Sequence, residues 1–292
     1  MKISIAQRLR PFSRLPGTSC LVPGTAWQVT AFPTQLKFHN LLTDEEREES
    51  IAATESFTLT QDLERGEVVI SGKKYKHVVK LGSLPASIER LSLGSHKTLD
   101  WDMSRRRLDL SDILPVWFRL GQMVPADGKI DFPEMDKLEV VPFLKNVFRA
   151  YFQGILVPRL FDDDHQGLFP EGKPIATGSL ALLHEGARWI RGLFFQEGFH
   201  FLPHLPPEFH AGRLLHLKTK EGDDIDMEWS KKLLRRVVIR PGKSRSVKLH
   251  LQKPLASFRI RRGMKDRGER LTVQDAVEMV EGQVLLFDRF EK

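Results

Sequence analysis

Carboxylates are the first residues of this sequence with the capacity for chemistry. Asp100 and Asp102 flank a tryptophan in the segment LDWDM, Asp163 lies in FDDDHQG, and Glu185 lies in a long apolar stretch. Glycoside hydrolysis needs two such carboxyl groups, one to protonate the leaving oxygen and one to act as base or nucleophile. We therefore take Asp100, Asp102 and Glu185 as the main candidate catalytic residues. The competing roles are structural, since Glu185 is spaced to pair with Arg188 along an exposed helix face.

Four histidines stand among prolines and apolar residues in FHFLPHLPPEFHAGRLLHL, residues 199 to 217. His200 and His204 are four residues apart, but Pro203 and Pro206 oppose the helix that would bring them together. On a strand the same spacing separates them by roughly 13 Å, which is too far to share an ion. We therefore expect partly exposed, hydrogen-bonded histidines, and we predict no metal and no cofactor.

A carbohydrate site needs an aromatic platform beside carboxylates or amides. Trp101, Trp117 and His96 are the candidate ligand-binding residues, because they surround the carboxylates of LDWDM in the sequence. Packing in a hydrophobic core is the competing role of both tryptophans. The single cysteine, Cys20, excludes an internal disulfide and is expected to pack rather than to react.

The formal charge of +7 is concentrated in one stretch. Residues 235 to 265 contain eleven Lys or Arg and no acidic residue, so the rest of the chain is net acidic. Short alternating apolar runs within this stretch predict strands whose basic residues line the wet side of a sheet. A solvated face is one interpretation. A polyanion-binding face carried by Arg236, Arg240 and Lys248 is the other.

These residues must be positioned by a mixture of strands and helices. The first hundred residues predict a β domain, with a short acidic helix at LTDEEREESIAA. Helices are predicted at SDILPVWFRLGQM, with Ser111 or Asp112 as its cap, at EVVPFLKNVFRAYFQGILV, and at residues 178 to 198. Strands then follow from Phe199 onward, with WSKK as a hairpin turn. A second short helix at TVQDAVEMVEG and a final strand at VLLFDRF complete the prediction.

The segment from residue 192 to 234 resembles the end of the catalytic toroid and the start of the C-terminal β domain in α-L-fucosidase-type glycoside hydrolases of family 95. That family has a helix leading into a proline-containing strand, a glycine turn, a basic strand and an acidic strand ending in tryptophan. The corresponding places here, within residues 178 to 234, are held by FLPHLP, Gly212, LLHLKTK, DIDMEW and KKLLRRVVI.

A second resemblance lies upstream, over residues 95 to 123. SHKTLDWDMSRRRLDLSDILPVWFRLGQ is similar to the junction where those enzymes pass from an N-terminal β-sandwich into an α/α toroid. The residues that fit this pattern are His96, Asp100, Trp101, Arg107, Leu108 and Leu110. The two islands leave only residues 124 to 177 between them, so a full toroid does not fit. The family's general-acid glutamate falls in the missing part, and Ala176 and Thr177 stand near its general-base aspartate.

The sequence therefore predicts an α+β protein that is a reduced relative of these enzymes. Its predicted parts are an N-terminal β-sandwich-like domain (1–110), a helical section or truncated toroid (111–198), a C-terminal antiparallel β domain (199–263) and a helix–strand extension (264–292). The expected function is that of a non-catalytic or weakly active glycoside-hydrolase-like protein with a carbohydrate-binding or structural role. Polyanion or nucleic-acid binding through residues 235 to 265 is the alternative, and an active glycoside hydrolase is the third.

Carbohydrate is the expected partner, ahead of nucleic acid, and the oligomeric state is left open. No run of eighteen apolar residues and no apolar run of signal-peptide length is present in the sequence. We therefore expect no membrane partner and a cytoplasmic location.

Overall fold

The structure is a computed structural model that describes residues 2–52, 55–94, 97–130, 132–159, 178–263 and 265–292. These residues form four helices and 21 strands, so the chain is mixed and mostly β. Every ladder between the strands is antiparallel. The predicted α+β class is thus confirmed in its broad outline.

The helices are α1 (Trp101–Arg107), α2 (Leu110–Gly121), α3 (Val140–Tyr151) and α4 (Ala181–Phe194). The strands before α1 are β1 (Phe12–Ser13), β2 (Thr18–Leu21), β3 (Trp27–Ala31), β4 (Gln35–Asn40), β5 (Glu46–Ser50), β6 (Thr58–Asp62), β7 (Glu67–Ser71), β8 (Lys76–Val79) and β9 (Arg90–Ser92). The later strands are β10 (Phe152–Gln153), β11 (Val157–Pro158), β12 (Phe195–Gln196), β13 (His200–Phe201), β14 (Gly212–Lys218), β15 (Asp224–Ser230), β16 (Leu233–Arg240), β17 (Arg245–Val247), β18 (Ser257–Arg261), β19 (Glu269–Thr272), β20 (Val277–Met279) and β21 (Leu285–Glu291).

The chain divides into two compact units. The helical unit comprises Gln7–Ala86 and His96–Arg188, and the sheet unit comprises Met1–Ala6, Ser87–Ser95 and Trp189–Lys292. Each unit therefore combines segments that the sequence analysis assigned to different domains.

The helical unit contains two four-stranded sheets with the orders β1-β6-β7-β8 and β2-β3-β4-β5. Their strands alternate as half-buried strands do: Leu36 and Phe38 are buried on β4, and Val68 and Ile70 are buried on β7. Helix α2 is buried around most of its circumference, which its apolar sequence LSDILPVWFRLG allows. The α1–α2 segment is thereby anchored in a rigid core.

The sheet unit is built on a seven-stranded sheet with the order β19-β18-β21-β16-β15-β14-β9. On β15 Ile225 and Met227 are fully buried, while Asp224, Asp226 and Glu228 alternate with them on the opposite face. This alternation places every acidic side chain of β15 on one face of the sheet.

The hairpin between β15 and β16 has the predicted turn at WSKK. Lys231 and Lys232 both have positive φ angles, 52° and 65°, as a two-residue type I′ turn requires. The turn fixes the pairing of Ser230 with Leu233, and a bulge between Glu228 and Trp229 then shifts the register by one residue.

Two of the predicted helices are wrong. LTDEEREESIAA contributes β5, whose five exposed residues pair along β4, because the segment has no apolar helical face to bury. TVQDAVEMVEG contributes the end of β19 and then β20, where Val277 and Met279 are buried and Glu278 is exposed, a period of two. The regular elements of residues 265 to 292 are therefore all strands, namely β19, β20 and β21.

The other predicted helices are present, with one change of cap and one early end. The segment EVVPFLKNVFRAYFQGILV is helical only as far as Tyr151, and its last residues contribute β10 and the start of β11. Residues 178 to 198 contain α4, and Pro142 lies in the first turn of α3. Helix α2 begins earlier than predicted, because Asp109 caps it by accepting a hydrogen bond 3.0 Å long from the Ser111 N–H. The cap had been assigned to Ser111 or Asp112.

Candidate functional site

The candidate site is built on α1, a seven-residue helix that a second helix follows almost at once. Asp100 caps its start, with its Oδ1 3.2 Å from the Met103 N–H. Leu108 ends it in the left-handed conformation, at a φ of 52°. Asp109 then caps α2, so two capping carboxylates lie within ten residues, each at a helix N-terminus.

The candidate catalytic aspartates are both used to hold this junction together. Asp102 accepts hydrogen bonds from the Ser13 hydroxyl, 2.7 Å away, and from the Arg14 N–H, 3.1 Å away. Asp100 adds an ion pair of 3.5 Å with the Arg14 guanidinium to its capping bond. These contacts fasten α1 to β1, which is a structural role.

Glu185, the third candidate, lies on α4. Its Oε1 is 3.2 Å from Nη1 of Arg188, one turn later, as the spacing predicted. The structure therefore gives each of the three carboxylates a partner of its own. Asp163 and the family-like positions Ala176 and Thr177 lie outside the described residues.

The two tryptophans of the predicted sugar platform lie in the core of the helical unit. Trp101 and Trp117 have relative exposures of 1% and 0%. The Trp101 indole N–H donates to the Gly154 carbonyl at 2.6 Å, and that of Trp117 donates to the Leu183 carbonyl at 3.3 Å. Neither ring offers a face to a sugar in this conformation, so both serve packing. His96 lies outside the described residues.

The tryptophans belong to an aromatic cluster that continues through α3. The ring centroids of Trp101 and Phe148 are 6.0 Å apart, those of Phe148 and Phe152 are 6.1 Å apart, and those of Trp117 and Phe152 are 4.8 Å apart. Aromatic contacts of this kind, of which the two to the tryptophans are edge-on, stabilise a core beyond simple burial. Together they give α1 and the end of α3 a fixed mutual position.

Two small concavities lie on α1. The acidic one has a volume of about 130 Å³ and is lined by Thr98, Asp100, Met103, Ser104, Arg107, Asp109 and Asp112. Asp112 is buried there, with its Oδ2 2.9 Å from the Ser104 hydroxyl. We call it the acidic concavity.

The second concavity, which we call the arginine pocket, has a volume of about 150 Å³. It is lined by Arg105, Arg106, Leu108, Phe148, Arg149 and Phe152. The three arginines are exposed, and no carboxylate of the described residues lies within 4.0 Å of their guanidinium nitrogens. The floor is apolar, because Leu108, Phe148 and Phe152 are buried.

In the basic stretch at residues 235 to 265, unlike in the arginine pocket, most of the arginines pair with carboxylates. Arg236 pairs with Glu228, and Arg240 pairs with Asp224 and Asp226 at 3.1 and 3.0 Å. Lys248 is exposed. Further pairs offset part of the charge of the stretch: Arg245 with Asp223, Arg259 and Arg261 with Asp288, and Arg262 with Glu269.

His216, Asp224 and Asp226 come together beside these pairs, with one potential ligand atom of each within 4.8 Å of the others. The carboxylates already accept from cations and from the backbone. Lys218 Nζ is 2.8 Å from Asp224, Arg240 bonds both aspartates, and the His216 N–H donates to Asp226 at 3.0 Å. The cluster is an ion-pair network, and the expectation of no metal remains a prediction.

Cys20 is completely buried, and burial raises the pKa of its thiol far above the ordinary value. A thiolate nucleophile is therefore not available there, which agrees with a packing role.

Comparison with known proteins adds no assignment: no protein-family model and no curated protein matches this chain. No helix of the described residues is long and apolar enough to span a membrane.

The arginine pocket was not predicted from the sequence. The run SRRR in the upstream island was the available signal, but Arg149 is more than forty residues away from it. Only the packing of α3 brings Arg149 to the same concavity, and nothing in the sequence announces that contact.

Proposed function

We propose that this chain is a non-catalytic ligand-binding protein and a reduced relative of the family 95 glycoside hydrolases. The finer architecture belongs to the same proposal: an N-terminal β-sandwich-like part, a truncated toroid and a C-terminal β domain. The two sequence islands support it, since they occur in the family's order. The run of strands, helices and strands along the chain is compatible with it.

The observation that carries the non-catalytic part is the engagement of the candidate carboxylates. Asp102 accepts hydrogen bonds from the end of β1 and from the residue after it, Asp100 caps α1, and Glu185 pairs with Arg188. A general acid or nucleophile must face the scissile bond with a second carboxylate opposite. Carboxylates that hold backbone and hydroxyl groups are poorly placed for that work.

The acidic concavity supports carbohydrate as the ligand class. Asp109 uses only its Oδ1 for the α2 cap, and no described residue bonds its Oδ2. Thr98 and Asp100 add polar groups suited to sugar hydroxyls. Met103, with a relative exposure of 37%, offers an apolar side chain at the rim for the C–H face of a sugar ring.

Polyanion binding through Arg236, Arg240 and Lys248 has less support. The two arginines are held in ion pairs, and binding a phosphate chain there requires breaking them. An active hydrolase has the least support, because the candidate carboxylates Asp100, Asp102 and Glu185 are already engaged in structural contacts.

A hydrolysis screen tests the proposal. Purified protein is incubated with aryl fucosides, galactosides and glucosides, and release of the aryl group is followed at substrate concentrations up to the millimolar range. We expect no turnover above the uncatalysed rate. Turnover that disappears in Asp100→Asn or Asp102→Asn, with Glu278→Gln as an exposed control, overturns the proposal.

Neutral sugars are then tested for binding by calorimetry. Asp109→Asn keeps a good helix cap but loses a charged acceptor, so it should weaken sugar binding without unfolding α2. Equal affinity in the wild type and in this variant removes the acidic concavity as the site.

A further inference from the structure

Arg105, Arg106 and Arg149 surround one concavity from two helix ends. Arg105 and Arg106 lie in the last turn of α1, and Arg149 lies in the last turn of α3. Successive residues on a helix point about 100° apart, so neighbouring arginines can face different surfaces. Arg107 lines the acidic concavity instead of the pocket.

The pocket is held in shape by the aromatic cluster beneath it. Phe148 and Phe152 have relative exposures of 3% and 2% and contact Trp101 and Trp117 respectively. The indole of Trp101 is bonded to Gly154, just beyond α3. The positions from which the three arginine side chains extend are therefore fixed before any ligand arrives.

The pocket carries an excess of positive charge. Each helix C-terminus contributes about half a negative charge, so the ends of α1 and α3 offset roughly one of the three guanidinium charges. No described carboxylate offsets the rest within 4.0 Å. Other arginines do have such partners: Arg10 lies 2.8 Å from Asp62, and Arg191 lies 3.1 Å from Glu89.

The volume sets the size of the complementary anion. A cavity of about 150 Å³ equals roughly five water molecules at ~30 Å³ each. That is enough for a phosphate or sulfate group, and less than the ~300 Å³ at which sites for whole drug-sized ligands begin. Guanidinium groups present paired N–H donors that match two oxygens of such a group.

We infer that Arg105, Arg106 and Arg149 bind the phosphate or sulfate group of a small organic ester. The guanidinium groups hold the anion, and the remainder of the ligand extends out of the pocket. This inference rests on the proposed function in one respect, because it takes α1 as the element that binds the ligand.

The test is a calorimetric titration with inorganic phosphate, sulfate and phenyl phosphate in a low-salt buffer at pH 7. We expect saturable 1:1 binding by the wild type. Arg105→Gln and Arg149→Gln should each weaken it about tenfold or more, since each removes a charge-assisted bidentate contact. Arg149→Lys keeps the charge but loses the paired N–H donors of the guanidinium, so its affinity should lie between those of the wild type and Arg149→Gln.

Arg107→Gln is the matched control. It loses the same charge from the same helical turn but lines the other concavity, so its affinity should stay within about threefold of the wild type. Far-UV circular dichroism verifies that each variant is folded. An absence of saturable binding, or an equal loss in Arg107→Gln and Arg105→Gln, overturns the inference.

Two further outcomes have defined meanings. Phenyl sulfate is titrated as well: stronger binding of phenyl phosphate than of phenyl sulfate favours a phosphate ester, and the reverse order favours a sulfate ester. Binding of a single-stranded oligonucleotide whose affinity grows with its length, without saturable binding of the small esters, contradicts the small-ligand inference. If the titration shows no anion binding, the non-catalytic proposal still stands. If glycoside turnover is observed, that proposal is overturned, but the inference of anion binding in the arginine pocket is not affected.

Discussion

Asp102 on α1 accepts a hydrogen bond from Ser13 on β1, with 2.7 Å between the carboxylate Oδ1 and the hydroxyl oxygen. The Ser13 side chain is buried, and the second carboxylate oxygen receives the Arg14 N–H. One side chain thus satisfies two donors, one in β1 and one directly after it, that lie 89 and 88 residues earlier in the sequence.

Asp102→Ala should therefore destabilise the protein by about 1–3 kcal/mol, because two donors lose a charged acceptor. Urea denaturation followed by tryptophan fluorescence measures the change. Glu278→Gln, which removes an exposed carboxylate on β20, should change the free energy of unfolding by less than about 0.5 kcal/mol. Equal stability of Asp102→Ala and the wild type would contradict a structural role for Asp102.

Gly186 on α4 lies against the Trp117 indole so closely that a β-carbon there would be 2.5 Å from the ring. Gly186→Ala should destabilise by about 2 kcal/mol or more, although alanine favours a helix by ~1 kcal/mol. Gly192 on the same helix has no atom within 4 Å of a β-carbon, so Gly192→Ala should stabilise by up to ~1 kcal/mol. Thermal melts of the two variants should shift in opposite directions, and a shared direction is inconsistent with this packing.

Asp223 is completely buried in the sheet unit. Burial raises the pKa of its carboxyl, but hydrogen bonds from Arg245, Thr219 and the Gly242 N–H outweigh burial and bring the pKa below its usual range. Asp223→Ala should lower the free energy of unfolding by about 2–4 kcal/mol at pH 7. We expect a loss smaller than for a fully buried ion pair, because Arg245 keeps some solvent contact.

The depressed pKa of Asp223 also makes the stability of the protein depend on pH. Since its folded pKa is depressed, its contribution to stability is complete above the unfolded pKa of ~4 and is lost as the pH falls through the folded value. The difference in unfolding free energy between the wild type and Asp223→Ala should therefore shrink in that acidic range. A difference that is independent of pH down to the folded pKa would argue against the depressed pKa.

His200 and His250 stack in the sheet unit, with ring centroids 4.1 Å apart and planes 4° from parallel. Burial and the neighbouring His250 both lower the pKa of His200. The unfolded chain thus binds more protons between the folded pKa and ~6.5, so stability should fall as the pH decreases through that window. In an NMR titration, His250→Gln should raise the pKa of His200; an unchanged pKa in that variant contradicts the coupling.

Much of this fold follows from sequence periodicity. The stripe on α4, the alternation of Ile225 and Met227 with acidic residues on β15, and the WSKK turn all predict what the structure contains. These features depend on residues within one turn or one strand of each other. The errors at β5 and β20 arose where sequences that fit a helix locally pair with another strand instead. Strand β5 pairs with the preceding strand β4, and β20 pairs with the more distant β17.

The candidate site was harder to predict because charge pairing depends on register. The bulge at Glu228 and Trp229 places Arg236, and not Arg235, opposite Glu228. A shift of one residue therefore decides which arginine is neutralised. The predicted anion-binding arginines Arg236 and Arg240 are held in ion pairs. Arg149 was not predicted, because it reaches α1 only through tertiary packing.

The central claim is that this chain binds its ligand through α1 and that charge pairing decides which arginines take part. The most direct measurement is the salt concentration that elutes three proteins from a phosphocellulose column at pH 7. They are the wild type, the variant Arg105→Gln/Arg106→Gln/Arg149→Gln, and the variant Arg236→Gln/Arg240→Gln/Lys248→Gln, which loses the same formal charge. We predict that the first variant elutes at clearly lower salt than the second, because no carboxylate of the described residues pairs with its arginines, whereas Arg236 and Arg240 are held in ion pairs. Earlier elution of the second variant would contradict the account and return the anion-binding surface to residues 235 to 265.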